Sequence, residues 1–102
     1  EGYSVSRSIF ITGGGSGIGR ATAMLFASRG WRVGLGDVNE RGMAETLALL
    51  GGADASAHRL DVRERAQWSE ALAAFAPDGQ LDVLFNNAGI AVGGPLVDTP
   101  EG

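Results

Sequence analysis

The chain has 102 residues, 44% of them hydrophobic, and a formal net charge of −4 at pH 7. This balance favours one globular domain, and the lack of a basic block argues against nucleic acid or an anionic membrane surface as a partner. There is no cysteine, which excludes disulfides and thiolate metal ligands, and we predict no metal site. No apolar run approaches the roughly 18–20 residues that span a bilayer, and the start lacks a signal-peptide pattern, so we expect a cytoplasmic protein.

The first predicted element is a buried strand at residues 8–12 (SIFIT). It runs directly into residues 12–19 (TGGGSGIG), which contain five glycines. A helix is predicted next and ends at Gly30. Apolar residues recur in it with helical spacing and predict an inner face of Ile18, Ala21, Thr22, Leu25 and Phe26.

A second strand is predicted at residues 31–37 (WRVGLGD), and Asn39 can cap the helix that follows. That helix stops at Gly51–Gly52, and its predicted inner face contains Met43, Leu47 and Leu50. A third strand is predicted at residues 56–62 (SAHRLDV).

Asp61 and Glu64 resemble a capping box at the start of a third helix. The buried stripe of this helix is predicted to be Trp68, Ala71, Leu72 and Phe75. A turn at residues 77–79 then leads to a fourth strand at residues 81–85 (LDVLF). Near the end of the chain, Thr99 and the proline after it are typical of a helix start.

Strands and helices therefore alternate about every 20–25 residues, which predicts βαβ units and a parallel sheet. Right-handed crossovers favour an α/β, Rossmann-type doubly wound sheet with strand order 3-2-1-4, the first two helices on one face and the third on the other. The apolar fourth strand would lie bare at an edge, which natural sheets rarely allow. We therefore predict that residues 1–102 are the N-terminal, dinucleotide-binding part of a single, longer Rossmann domain, with no second domain.

The glycine-rich stretch is typical of a phosphate cradle, because free N–H groups and the positive end of a helix attract an anion. The spacing G-x-G-x-x-G does not fit, because Ile18 stands where its third glycine would be, and a P-loop needs a lysine, which the chain lacks. The pattern that fits is T-G-x-x-x-G-x-G, formed by Thr12, Gly13, Gly17 and Gly19. A purely structural glycine turn is the alternative.

Asp37 ends the second predicted strand, where a carboxylate can accept hydrogen bonds from the adenosine ribose hydroxyls of a dinucleotide. The alternative is a solvated strand-end aspartate. Two unit charges about 4 Å apart repel by about 1 kcal/mol in water and about 4 kcal/mol near a protein surface. A 2′-phosphate beside Asp37 would therefore bind about fivefold to a thousandfold more weakly, which predicts NAD rather than NADP as cofactor.

Four motifs together resemble the short-chain dehydrogenase/reductase family: TGGGSGIG (12–19), GDV (36–38), LDV (60–62) and NNAG (86–89). They occur in the family's order and spacing from residue 8 onward. The resemblance implies an NAD-dependent oxidoreductase that interconverts a small-molecule alcohol and a ketone by hydride transfer. It also implies a homo-oligomeric parent protein.

The resemblance carries roles onto individual residues. The pyrophosphate turn would be lined by Gly13, Ser16, Gly17 and Ile18, and Gly19 would allow close helix packing. Asp37, beside Val38, would hold the ribose, while Asp61 would meet the adenine amino group and Val62 would flank the ring. Asn86 would brace the sheet, and the residues under the cofactor would be Asn87, Ala88 and Gly89.

The family's catalytic Tyr-x-x-x-Lys pair has no counterpart in this chain. Tyr3 precedes the glycines and is followed by Ser-Val-Ser-Arg, and there is no lysine. His58 is interpreted as a structural or surface residue. We predict no catalytic residue within the chain, so acid–base chemistry would come from residues beyond Gly102. Two other functions stay open: a non-catalytic nucleotide-binding module, and a methyltransferase, which NNAG disfavours.

Overall fold

Strands and helices alternate through residues 7–87, the part of the chain that the computed structural model describes. The predictions for Tyr3, Ala88, Gly89 and Thr99 lie outside these residues. In chain order the elements are β1 (Ser8–Thr12), α1 (Gly17–Ser28), β2 (Arg32–Asp37), α2 (Glu40–Leu50), β3 (Ala55–Arg59), α3 (Arg65–Phe75) and β4 (Val83–Asn86). No helix among the described residues is long and apolar enough to cross a membrane.

The strands form one parallel sheet in the order β3-β2-β1-β4, which confirms the predicted strand order and Rossmann-type fold. Ile9 on β1 lies opposite Val33 on β2 and Val83 on β4. β1 is therefore paired on both sides and lies where the strand order reverses. All five of its residues are buried. In such sheets ligands bind at the carboxyl ends of the strands, where the strand order reverses.

Each face of the sheet has its own core, because successive strand residues point to opposite faces. One core contains Ile9 and Ile11 of β1 with Ala23 of α1 and Met43 of α2. The other contains Phe10, Leu60, Ala71, Phe75 and Ala76. The prediction that the first two helices cover one face and the third covers the other is confirmed.

The predicted inner face of α1 is wrong in part. Ile18 is 67% exposed, Leu25 is 50% exposed, and Ala21 is also exposed, whereas Gly19 and Ala23 are buried. Phe26, as predicted, packs against the core. The small residues let the helix axis approach the sheet closely, so the larger side chains beside them are turned outward.

The predictions for α2 are confirmed. The Asn39 side-chain oxygen accepts a hydrogen bond from the Gly42 N–H at 2.9 Å and caps the helix. Met43 is buried, Leu47 and Leu50 pack against the same core, and Gly51 ends the helix with φ +61°.

The predicted stripe of α3 is confirmed, but its capping box is wrong. Ala71 and Phe75 are buried, and Trp68 and Leu72 pack against them. Glu64 is the N-cap residue and makes no side-chain cap hydrogen bond. The N–H of Asp61 is bound instead by Gln67 Oε1 at 2.8 Å, because the chain between β3 and α3 forms a turn before the helix begins.

The third and fourth strands differ from their predicted bounds. β3 ends at Arg59, so Leu60, Asp61 and Val62 lie in the loop after the strand. β4 begins two residues later than predicted and extends to Asn86. The Leu-Asp-Val motif is thereby placed at the carboxyl edge of the sheet rather than inside it.

Candidate functional site

A groove of about 580 Å³ lies at the carboxyl ends of the strands. Nine of the predicted site residues line it: Gly13, Ser16, Gly17, Ile18, Asp37, Val38, Asp61, Val62 and Asn87. Three residues that were not predicted as site residues also line it: Gly36 and Leu60, which belong to the GDV and LDV motifs, and Arg63. The fold therefore brings segments from four distant parts of the chain to one concave surface.

One wall of the groove consists of the glycine loop, residues 13–16, and the first turn of α1. Gly13 and Gly17 have φ values of +72° and +59°, a backbone region that glycine adopts without strain. The first-turn N–H groups of α1 have no intrahelical acceptor, and the Ser16 side chain does not cap them. A Cβ at Gly17 would meet nothing within 4 Å and would project into open space. These are the features of a cradle that binds an anion through backbone N–H groups.

Gly19 has a packing role. A Cβ at Gly19 would collide with the carbonyl oxygen of Gly13. The absence of a side chain at Gly19 lets α1 pack directly on the start of the glycine loop. This agrees with the predicted role of this residue in close helix packing.

Asp37 is held at the end of β2 by two backbone donors. Its Oδ2 accepts from the Gly15 N–H at 2.9 Å, and its Oδ1 accepts from the Asn39 N–H at 3.1 Å. The side chain is thus a fixed part of the groove wall rather than a freely solvated strand-end group. A carboxylate has about four acceptor positions, so two remain for ligand hydroxyls.

Asp61 and Arg63 form an ion pair at the edge of the groove. Asp61 Oδ1 accepts from the Arg63 N–H at 3.0 Å and from Nε at 3.1 Å, and Oδ2 accepts from Nη2 at 2.9 Å. These hydrogen bonds, the side-chain ones first, lower the pKa of Asp61 to about 2. Arg63 itself was missed, although its position two residues after a loop aspartate is typical of a turn in which the aspartate accepts hydrogen bonds.

Asn86, the last residue of β4, and Asn87, which follows the strand, make different contacts. The hydroxyl of Thr12 donates to Asn86 Oδ1 at 2.8 Å and ties β1 to β4, as the sheet-bracing interpretation predicted. Asn87 lines the groove, and its Nδ2 would lie 3.0 Å from a Cβ at Gly19. The Asn87 side chain therefore lies against the first turn of α1.

His58 lies outside the residues that line the groove. Its ring packs 5.8 Å from that of Phe10 and 6.0 Å from that of Phe75, between centroids, and its Nε2 is 2.8 Å from the Ser56 hydroxyl. Burial, followed by the nearby Arg32 charge, lowers the pKa of His58. These contacts give it a packing role. Within residues 7–87 no group of three His, Cys, Asp or Glu side chains could hold a metal ion.

Residues 7–101 match the sequence profile of the family described as short chain dehydrogenase. This match covers most of the chain and agrees with the parallel sheet of order β3-β2-β1-β4. The chain belongs to the short-chain dehydrogenase family.

The chain is similar to several members of this group. It is 45% identical over 84 residues to 2,5-dichloro-2,5-cyclohexadiene-1,4-diol dehydrogenase LinX of Sphingobium indicum, which covers 78% of this chain and 33% of that protein. A short chain dehydrogenase/reductase from Burkholderia phymatum in complex with NAD matches with a TM-score of 0.65 and 38% identity, covering 78% of this chain and 29% of that one.

A variant actinorhodin polyketide ketoreductase with NADPH matches with a TM-score of 0.77 and 33% identity, covering 94% of this chain and 38% of that one. The solved structures that resemble this chain thus contain NAD in one case and NADPH in another. The curated relatives are much longer, since the chain spans between 17% and 38% of their length.

Proposed function

We propose that this chain is the dinucleotide-binding part of a single Rossmann domain in an NAD-dependent oxidoreductase that interconverts an alcohol and a ketone. One observation carries the proposal: the exposed N–H groups at the start of α1 and the fixed carboxylate of Asp37 line the same groove. Their chemistry complements the two ends of an adenosine diphosphate, with an anion at one end and hydroxyl donors at the other.

In this proposal, different residues of the groove bind different parts of the cofactor. The N–H groups of Ser16, Gly17 and Ile18 bind the pyrophosphate, and Asp37, beside Val38, accepts from the adenosine ribose. Asp61 and Val62 hold the adenine, and Asn87, followed by Ala88 and Gly89, lies beneath the cofactor. When bound, NAD supplies the hydride acceptor.

Hydride transfer at a carbonyl carbon also requires a proton to move at its oxygen. Within residues 7–87 the groove contains no tyrosine, lysine or histidine. We therefore assign the acid–base pair to a part of the protein outside this chain, which agrees with the greater length of its relatives. We also expect a cytoplasmic, homo-oligomeric protein.

The preference for NAD over NADP is proposed from the charge of Asp37. Its carboxylate lines the groove, and the two backbone N–H groups that it accepts from keep it in place. A ribose 2′-phosphate near this carboxylate would be repelled by about 1–4 kcal/mol. The Arg63 guanidinium, which also lines the groove, is paired with the Asp61 carboxylate, so its positive charge is largely balanced.

Isothermal titration of the protein with NAD and with NADP tests this proposal. We expect NAD to bind at least fivefold more tightly, and we expect Asp37→Asn to reduce that ratio by about fivefold or more, because the amide removes the charge. The amide also loses one of the two backbone N–H bonds, which weakens the binding of both cofactors alike and leaves the ratio as the readout. Asp54→Asn, an exposed change before β3, is the matched control and should leave the ratio unchanged. Equal binding of both cofactors by the unsubstituted protein would contradict the preference, and absence of any NAD binding would contradict the function.

A further inference from the structure

The side of the glycine loop that faces away from the groove is bound to α2 by buried and partly buried hydrogen bonds. Arg20 extends from α1 to α2, and its Nη2 donates to the Gly15 carbonyl at 2.7 Å and to the Gly42 carbonyl at 3.2 Å. Its Nε donates to the Thr46 hydroxyl at 2.9 Å. Only its contact with Glu45, at 3.2 Å, involves an exposed partner.

Thr46 completes this network from inside the protein. The residue is fully buried, and its hydroxyl donates to the Gly14 carbonyl at 2.7 Å, with the Gly42 carbonyl also within reach at 3.1 Å. Since a hydroxyl has one proton and two lone pairs, the Nε of Arg20 occupies an acceptor position and leaves the proton for the carbonyls. Two consecutive loop carbonyls, those of Gly14 and Gly15, are therefore held on the α2 side.

Gly42 permits this close approach. A Cβ at Gly42 would lie 2.5 Å from the Gly15 carbonyl oxygen, so only glycine lets the loop rest on the first turn of α2. The loop is thus fixed by contact as well as by hydrogen bonds.

The geometry of the peptide bond links this network to the groove. In a trans peptide unit the C=O and the next residue's N–H point in opposite directions. Holding the Gly15 carbonyl toward Arg20 therefore directs the Ser16 N–H the other way, and Ser16 lines the groove. Holding the Gly14 carbonyl toward Thr46 likewise directs the Gly15 N–H away from α2, where it donates to Asp37 Oδ2.

We propose that Arg20 and Thr46 are positioning residues for the cofactor. They orient the Ser16 N–H toward the pyrophosphate and, through the Gly15 N–H, fix the Asp37 carboxylate beside the ribose. This inference rests on the proposed function. It assigns to α2 a role in cofactor affinity although α2 itself supplies no residue that lines the groove.

The test compares ligands with and without a pyrophosphate in the whole protein. Binding of NAD and of adenosine is measured by titration for the unsubstituted protein and for Arg20→Met and Thr46→Val. We expect both variants to bind NAD about tenfold more weakly, in line with loss of one or two hydrogen bonds. Adenosine affinity should change less than twofold in Arg20→Met, whose loop carbonyl directs the Ser16 N–H, whereas it should also fall in Thr46→Val, which releases the Gly15 N–H that holds Asp37. Thr46→Ser keeps the hydroxyl and should restore NAD binding.

Glu45→Gln is the matched control, since it removes the negative charge of the exposed partner of Arg20 and leaves the contacts with Gly15, Gly42 and Thr46 in place. It should bind NAD within twofold of the unsubstituted protein. Circular dichroism checks that each variant is folded, and Arg20→Gln, a smaller polar change, replaces Arg20→Met if that variant unfolds.

Two results would overturn the inference alone: NAD affinity unchanged in folded Arg20 and Thr46 variants, or NAD and adenosine affinity falling by the same factor in Arg20→Met. Failure of the unsubstituted protein to bind NAD would overturn the proposed function and this inference with it.

Discussion

At the scale of single residues, Asp61 shows how one neighbour sets the charge of a groove residue across a wide pH range. Arg63 lowers the pKa of Asp61 to about 2, from an ordinary value near 4. Because the folded-state pKa is lowered, the ion pair favours the folded state fully above about pH 4. That contribution is lost as the pH falls from about 4 through about 2.

Replacing Arg63 tests this relation. Arg63→Gln removes the guanidinium but keeps the backbone donor, so we expect the pKa of Asp61 to rise toward 4 without fully reaching it. The measurement is a pH titration of the Asp61 carboxyl carbon by NMR. Arg65→Gln, an exposed change at the start of α3, is the control. An Asp61 pKa that stays near 2 in Arg63→Gln would show that another group holds the carboxylate ionised.

Gly19 gives a second prediction at this scale. In Gly19→Ala the added methyl group would collide with the Gly13 carbonyl oxygen, so the helix or the loop must move. We expect a loss of about 1–3 kcal/mol in the free energy of unfolding, together with weaker NAD binding. Denaturant unfolding and titration measure the two effects.

Gly52→Ala is the comparison for Gly19→Ala. Gly52 has a φ of +94° and lies beyond the end of α2, so alanine there is strained but does not touch the groove. It should destabilise the protein by about 1 kcal/mol and leave NAD affinity unchanged. Normal stability and NAD binding in Gly19→Ala would contradict the close packing of α1 on the loop.

At the scale of elements, local patterns sufficed for the order and direction of the strands. β1 is a short β-branched run that lies between a polar segment and the glycines. Each helix after it has apolar residues with helical spacing, so the alternation of strands and helices could be predicted from the sequence pattern. The right-handed crossover rule then left few topologies, and the strand order followed.

The inner face of α1 could not be predicted in the same way. Amphipathic spacing predicts that the large apolar residues of a helix face inward. In α1, however, Gly19 and Ala23 are the buried residues, and Ile18 lines the groove. Which side of a helix packs inward depends on how close the backbone must come to the sheet, and that distance is a tertiary property. The sequence pattern alone contains two competing apolar stripes.

The candidate site was predictable only where its residues belong to a motif. Motif residues such as Asp37 and Asn87 do line one groove. Arg20 and Thr46 were not predicted as site residues. They bind backbone carbonyls, and polar side chains at many positions in the sequence could do the same. Arg63 was missed for a similar reason, since its partner Asp61 was interpreted as a helix cap.

At the scale of the whole molecule, two apolar surfaces remain exposed among the described residues. One lies on α1, where Ile18, Met24 and Leu25 are 42–67% exposed. The other is β4, which pairs with β1 alone in the described part of the chain and exposes Val83 and Leu84. Bare apolar edge strands promote association with other chains.

We therefore expect the isolated 102-residue chain to self-associate, and light scattering of the purified chain measures this. Leu84→Lys adds a charge at the edge strand and should reduce the average mass. Leu49→Lys, at a similarly exposed position on α2, is the control and should have little effect. A monomer at all concentrations in the unsubstituted chain would contradict this expectation.

The most direct measurement of the central claim is a crystal structure of the protein with NAD bound. We predict pyrophosphate oxygens within hydrogen-bonding distance of the N–H groups of Ser16, Gly17 and Ile18, and both adenosine ribose hydroxyls donating to Asp37. A dinucleotide bound elsewhere, or bound in the groove with its phosphates away from the start of α1, would contradict the account.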